Sequence, residues 1–340
     1  MDATGQEYLD PDRADLVLEG GGVKGIGLAG AITTLADRGL SFPRIAGTSA
    51  GAIVGALAAS YQAAGKPMSG IVDIMRALDY RKFRDGTTLD FLGAPGRVME
   101  LMLSEGMYKG EYIVDWLSAE LKKVGIEKWG DLRIDDDEDT SLPPTQRYRL
   151  VVMTSDLSRG QLVRLPWDFH YYGLQPDSQY IVESVRASMS IPFYYRPFEL
   201  QCGPASGGGQ VTMVDGGMLS NFPIDAFDRT DGKPPRWPTF GIKLSARPSA
   251  RQVGKRIDST YDLLRGCLRT LLDAHDAYHL DDEGTTARTI FVDTEHISAT
   301  DFDIDQETQQ RLFVNGQHAA TKFLATRYPV AEPTTPRQWP

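Results

Sequence analysis

The apolar positions of this chain fall into short buried runs and longer stripes at helical spacing. The first run, Asp15-Leu16-Val17-Leu18-Glu19, ends in Gly20-Gly21-Gly22 and predicts a buried strand entering a glycine turn. Ile26, Leu28, Ala29, Ile32 and Leu35 then recur at helical spacing, with Gly39 as a stop. A second strand is predicted over Phe42 to Ala46 and a helix from about Ala50 to Ala64. Strand, helix, strand, helix in immediate succession predicts a right-handed parallel βαβ layout in which helices cover a central sheet.

Further helices are predicted at about 69–79, 110–123, 181–188, 259–280 and 306–328. Strands are predicted at 148–154, 161–165, 211–214, 239–244 and 289–292, and Gly207-Gly208-Gly209 reads as a hairpin loop. The stretch Leu89 to Leu103, rich in Gly, Pro, Met and Leu, reads as a core helix in preference to a lid or an acyl-groove wall. No repeat and no long Pro/Gly/Ser linker divides the chain. Residues 14–330 are therefore expected to form one α/β domain, between a flexible N-terminal segment (1–13) and a flexible tail (331–340).

Composition narrows the class. With 340 residues, 41% of them hydrophobic and 24% charged, the chain has enough apolar content for a sizeable core. Lys and Arg number 36 against 46 Asp and Glu, a net charge of −10 that disfavours broad electrostatic binding to nucleic acid or an anionic bilayer. Residues 1–13 carry no apolar signal core and no run is long enough to span a bilayer, so a cytoplasmic protein is expected, with at most peripheral membrane contact through apolar residues. Cys202 and Cys267 read as incidental thiols, and Asp135 to Asp139 as a solvated loop and not a calcium site. No metal and no cofactor is expected.

The candidate chemistry sits at the first two strand ends. Gly47-Thr48-Ser49-Ala50-Gly51 has the G-x-S-x-G form of a nucleophile elbow, where a serine sits on a strained strand-to-helix turn with its hydroxyl exposed. Gly20-Gly21-Gly22-Val23-Lys24-Gly25 fits G-x-G-x-x-G, yet no carboxylate follows near the end of the second strand as a dinucleotide site requires, and no G-K-[ST] completes a P-loop. Consecutive glycines at a helix N-terminus also suit an oxyanion hole, with the Gly21, Gly22 and Val23 amides as donors and Lys24 orienting the loop or meeting a charged head group. The partner base is a choice between five histidines (His170, His275, His279, His296, His318), none in a motif-like setting, and Asp215 in Val214-Asp215-Gly216-Gly217. An aspartate closing an apolar strand stands at the sheet edge where sites collect, and desolvation there would raise its basicity.

These three motifs, in this order, together with Ala187-Ser188-Met189-Ser190-Ile191-Pro192-Phe193, resemble the patatin-like phospholipases over about residues 14–245. The resemblance implies an α/β three-layer sandwich with a mostly parallel central sheet and helices on both faces. It also implies metal-free lipid acyl hydrolysis by a Ser49–Asp215 dyad, the loop Gly20 to Gly25 serving as oxyanion hole. The last motif reads Asp-Gly-Gly where many members have Asp-Gly-Ala. Phe193, Tyr194, Tyr195 and Phe198 are candidate acyl-pocket residues or plain core. The substrate expected is a lipid or other acyl ester. The rival expectation is a gated effector or binding module on the same fold, motivated by the unassigned residues 246–340. Amide hydrolysis by the same dyad is a third reading, disfavoured by the resemblance alone.

Overall fold

The computed structural model describes residues 12–85, 106–134, 142–244, 283–295 and 297–326, with Tyr8, Asp10 and Gly266. β1 (Asp15–Leu18) and β2 (Ile45–Thr48) lie parallel with Leu18 opposite Gly47, and α1 (Gly25–Asp37) connects them. From β2 the chain enters α2 (Ala50–Ala63) and α3 (Ser69–Ala77), and after β3 (Gly106–Tyr108) and α4 (Glu111–Lys123) it returns as β4 (Leu150–Asp156), parallel to β2. β5 (Gln161–Leu165) folds back on β4, and α5 (Ile181–Ser188) leads into β6 (Phe193–Tyr195), β7 (Phe198–Gln201) and β8 (Gln210–Asp215). β9 (Thr239–Lys243), α6 (Glu283–Ala287), β10 (Thr289–Phe291) and α7 (Gln306–Thr326) follow.

The main sheet has eight strands in the order β10-β9-β1-β2-β4-β8-β7, with β5 also on β4, while β3 and β6 form a separate parallel pair. It is parallel from β10 to β4 and antiparallel beyond, an α/β sandwich on a mixed sheet. The change of direction has a local cause: Ser158-Arg159-Gly160 and the Gly207-Gly208-Gly209 loop are too short for a crossover, which a parallel neighbour would need. α1 and α2 follow successive crossovers between neighbouring parallel strands and pack against each other, and α7 and α3 pack against α1. α2 is built of Ala and Gly and is buried from Ala50 to Ser60, so it sits close on β2 and β4. On β9, Phe240 meets Phe323 of α7 while Phe222 approaches Gly241 from the other face.

Several boundaries moved for physical reasons. The second strand begins at Ile45 and not Phe42, because the Gln62 amide holds both the Phe42 N–H (2.8 Å) and C=O (2.7 Å) outside the ladder. Of the segment expected to be flexible, Asp10 N–H bonds Arg236 O and Asp12 O accepts the Ser41 amide, which anchors its described residues. The three-residue strands β3 and β6, and β7, were not predicted; runs that short carry little periodicity. Leu89 to Leu103, Asp135 to Asp139, residues 259–265 and 267–280, Cys267, His275, His279, His296 and the tail lie outside the described residues.

Candidate active site

The turn after β2 has the geometry the pentapeptide predicts. Ser49 adopts φ 52° and ψ −119°, a backbone region an L-residue enters at a cost of about 1–3 kcal/mol, and α2 starts at the next residue. A Cβ at Gly47 would collide with Gly51 O, and one at Gly51 with Leu18 O, so both glycines are required by close approach. The turn is held from outside as well: Ser49 N–H donates to Ser188 Oγ (2.9 Å) and Thr48 Oγ1 to Ser220 O (2.9 Å).

Strand register brings Asp215 to the same point. β5 lines one edge of β4 from Val152 to Asp156; on the opposite edge Thr48 pairs with Met153 and Asp215 with Thr154. β2 and β8 therefore run towards each other end to end along β4, and their terminal residues meet. Asp215 is buried; its Oδ1 accepts the Gly217 amide (2.8 Å) and its Oδ2 has no hydrogen-bond partner among the described residues. Burial pushes the carboxyl up to about 7, against the Gly217 amide and the nearby Ser49 hydroxyl, which favour the carboxylate. The Ser49 hydroxyl is close enough to Asp215 to favour its carboxylate form. Asp215 N–H donates to Ser190 O (2.9 Å), so the segment after α5 grips Ser49 through Ser188 and Asp215 through Ser190. Arg186 fixes that segment by donating to Ser190 Oγ (2.5 Å), Lys109 O (2.5 Å) and Arg196 O (2.9 Å).

The glycine loop lies beside the elbow: a Cβ on Gly20 would stand 3.2 Å from Ser49 Cβ. Gly20 N–H donates to Asn221 O, Lys24 Nζ donates to Leu244 O (3.2 Å), and Gly22–Lys24 form a short 3-10 turn leading into α1 at Gly25. Glu19, at the loop's entrance, is buried in an ion pair with Lys243 and accepts the Leu244 amide. The Val23 amide, expected as the third oxyanion donor, is taken by Ala299 O (3.1 Å). Gly21 and Gly22 amides have no partner among the described residues. Ala299 belongs to the segment 297–305 before α7, which crosses the loop so closely that a Cβ on Gly22 (φ 57°) would collide with Ala299 O. The strap is fastened by an Asp303–Arg84 ion pair and by Phe302, stacked on Phe83 and Tyr194.

Ser49 opens on an apolar pocket of about 440 Å³, part of it open to solvent. Its wall includes Ile53, Met75, Leu78, Tyr80, Phe83, Met189, Ile191, Tyr195 and Phe302, with Gly22 and Gly25 at the glycine-loop side. Of the aromatic residues expected there, Tyr195 borders the pocket and bonds Phe83 O (3.1 Å); Tyr194 lies behind, against Phe302, Phe193 is 40% exposed, and Phe198 is paired in β7. Met75, Leu78, Tyr80, Phe83 and Phe302 escaped the sequence reading because their stripes read equally well as core. Among the described residues no cluster of three or more His, Cys, Asp or Glu forms a metal site, and the described histidines are elsewhere: His170 Nδ1 contacts Trp167 O and His318 lies on α7.

The paired turn, the converging strand ends and the crossed glycine loop form one constellation, and the sequence around it matches the Patatin-like phospholipase family over residues 16–228. The chain belongs to that family. A Bacillus subtilis (strain 168) protein, the uncharacterized YqhO, is 35% identical over 313 residues, covering 91% of this chain and 97% of that protein. Among solved structures, VipD from Legionella pneumophila is similar in fold with a TM-score of 0.50 and 17% identity, over 93% of this chain and 68% of VipD. ExoU, in a complex with SpcU from Pseudomonas aeruginosa, gives 0.47 and 16%, over 92% of this chain and 53% of that one. For this patatin-like chain the coarse class of chemistry is lipid hydrolysis.

Proposed function

We propose that this protein is a serine lipid acyl hydrolase, a carboxylic ester hydrolase in which Ser49 attacks a fatty-acyl ester and Asp215 is the base. The single observation carrying the reading is the end-to-end meeting of β2 and β8 on β4, which sets a strained serine beside a buried carboxyl raised to about 7. Asp215 Oδ2 takes the hydroxyl proton as Ser49 Oγ bonds to the carbonyl carbon; the proton then leaves with the alcohol as the acyl-enzyme forms. Water, deprotonated by the same carboxylate, releases the acid. The Gly21 and Gly22 amides hold the developing oxyanion, each such donor contributing about 10²–10³ in rate. The acyl chain enters the apolar pocket, and exposed Phe193, next to wall residues Ile191 and Tyr195, meets the lipid surface. No metal or cofactor takes part in this scheme.

A fluorogenic acyl ester and mixed phospholipid vesicles test it on wild type, Ser49→Ala and Asp215→Asn. Each substitution is expected to remove about 10³-fold or more of turnover while leaving the fold intact. Activity that persists in both variants refutes the dyad.

The bond from Val23 N–H to Ala299 O favours a second reading, in which the same hydrolase is gated by its own strap or by a partner that moves it. In the state described here the loop offers two donors; lifting 297–305 frees a third and shifts Phe302 from the pocket wall. Fast turnover of a dispersed, monomeric ester by the purified protein, unchanged on adding lipid surface, would count against gating.

A further inference from the structure

The pocket beside Ser49 is lined mainly by apolar residues, and one wall residue carries a buried polar group that the ester mechanism does not use. Three of its wall residues carry side-chain hydroxyls: Ser49, the proposed nucleophile; Tyr195, whose hydroxyl donates to Phe83 O (3.1 Å); and Tyr80. Tyr80 is 4% exposed, and its hydroxyl has no hydrogen-bond partner among the described residues. Burial raises its ionisation well above the ordinary phenol value, so the group remains an O–H and keeps both donor and acceptor capacity. Its ring is fixed: Tyr80 opens a 3-10 turn capped by Asp79, whose Oδ1 accepts the Arg81 amide (3.2 Å), and stacks on Phe83 at 5.8 Å.

A buried hydroxyl without a partner is costly, and phenylalanine would fill the same wall without that cost. In a substrate pocket the absent partner can arrive with the substrate. A site that hydrogen-bonds a substrate oxygen discriminates strongly against the analogue lacking it, whereas a wall of methyl and methylene groups discriminates weakly.

We propose that Tyr80 is a specificity-determining residue whose hydroxyl pairs with an oxygen carried along the acyl chain, so that the pocket takes oxygenated acyl groups, such as hydroxyacyl chains, in preference to plain alkyl chains. The inference rests on the reading of Ser49 as the acyl-accepting nucleophile and goes beyond it by naming the acyl class. It adds no chemical step: the oxygen is recognised, and the ester carbonyl remains the group attacked.

The test compares the p-nitrophenyl ester of decanoic acid with a positional series of hydroxydecanoyl esters, on wild type and Tyr80→Phe. One isomer is expected to show kcat/KM about tenfold above decanoyl in wild type, equivalent to about 1.4 kcal/mol. In Tyr80→Phe that ratio is expected to fall to about one, while the melting temperature rises because the orphaned hydroxyl is gone. Equal kcat/KM for every isomer in wild type overturns the proposal, as does a preference that survives in Tyr80→Phe. A lower melting temperature in Tyr80→Phe, with no isomer preferred, would identify the hydroxyl as a structural water site and likewise overturn it. Should wild type hydrolyse none of the esters, the hydrolase reading fails separately. Calorimetric binding of the free decanoic and hydroxydecanoic acids to both proteins then decides the Tyr80 proposal by the same ratio.

Discussion

Asp215 couples the proposed chemistry to stability through one proton. Its carboxyl is raised to about 7, so kcat/KM is expected to climb as pH rises through about 7, measured on a neutral ester whose own hydrolysis is subtracted. The stability effect has the opposite sign. An unfolded aspartate titrates near 4, so between about 4 and 7 the native state holds the extra proton and loses up to about 4 kcal/mol of stability as pH increases. Asp215→Asn should therefore unfold at higher denaturant than wild type above pH about 7 and gain nothing below pH about 4. Ser188 is the second residue of consequence, because its hydroxyl accepts the Ser49 amide in a buried position. Ser188→Ala should cost about 1–3 kcal/mol in chemical denaturation and lower kcat more than it raises KM, since the elbow loses its anchor while the pocket wall stays. Ser49, Asp215 and the glycines were legible as residue types in fixed motifs. Ser188 Oγ and Ser190 O were not, because serines near a helix end are common and only the folded register shows which atom each one meets.

At the scale of elements, two strands and one strap decide the site. β8 points at β2 only because β4 is long enough to pair with both along one edge, and the serine and carboxylate motifs carry no trace of that arrangement. The strap is the element least visible in advance. Segment 297–305 has no regular structure, yet it occupies the Val23 amide and supplies Phe302 to the pocket. Its ion pair, Arg84–Asp303, is exposed and contributes at most about 1 kcal/mol, so the aromatic stacking of Phe302 is the stronger fastening. Arg84→Ala is accordingly expected to leave the melting temperature within about 2 °C while raising the rate on dispersed ester if the strap gates the site; an unchanged rate would assign the strap to structure alone. The elbow tolerates less. Gly51→Ala forces a Cβ into Leu18 O, and loss of soluble folded protein, read by circular dichroism, is the outcome expected.

For the whole molecule, the family match ends at residue 228, but the sheet does not. β9 pairs with β1, β10 with β9, and α7 buries Leu312, Phe313, Ala320, Phe323 and Leu324 against the α1 side of the core. Residues 14–330 are thus proposed to fold as one unit, and a chain cut after residue 282 should fail to fold cooperatively. The Glu19–Lys243 pair ties the glycine loop to β9 in a buried setting. Lys243→Met, which removes the cation from a buried carboxylate, should cost about 3–5 kcal/mol, whereas replacing both partners by apolar residues should recover most of it.

The sequence by itself determined what local chemistry can specify. Apolar periodicity marked most strands and helices, and steric demand placed glycines at the turns around Ser49 and before α1. An apolar strand ending in Asp215-Gly216-Gly217 marked a carboxylate at a strand end, though not at the carboxyl edge of a parallel sheet: β8 runs antiparallel to β4. Those features depend on residues within a few positions of one another. What only the tertiary structure decided depends on contacts between distant segments: that Asp215 arrives end-on to Ser49, that Ala299 covers Val23, and that Tyr80 shares a cavity with Ser49. Pairing across strands and packing across faces are set by the free energy of the whole core, and a stripe of apolar residues reads the same whether it faces that core or a substrate.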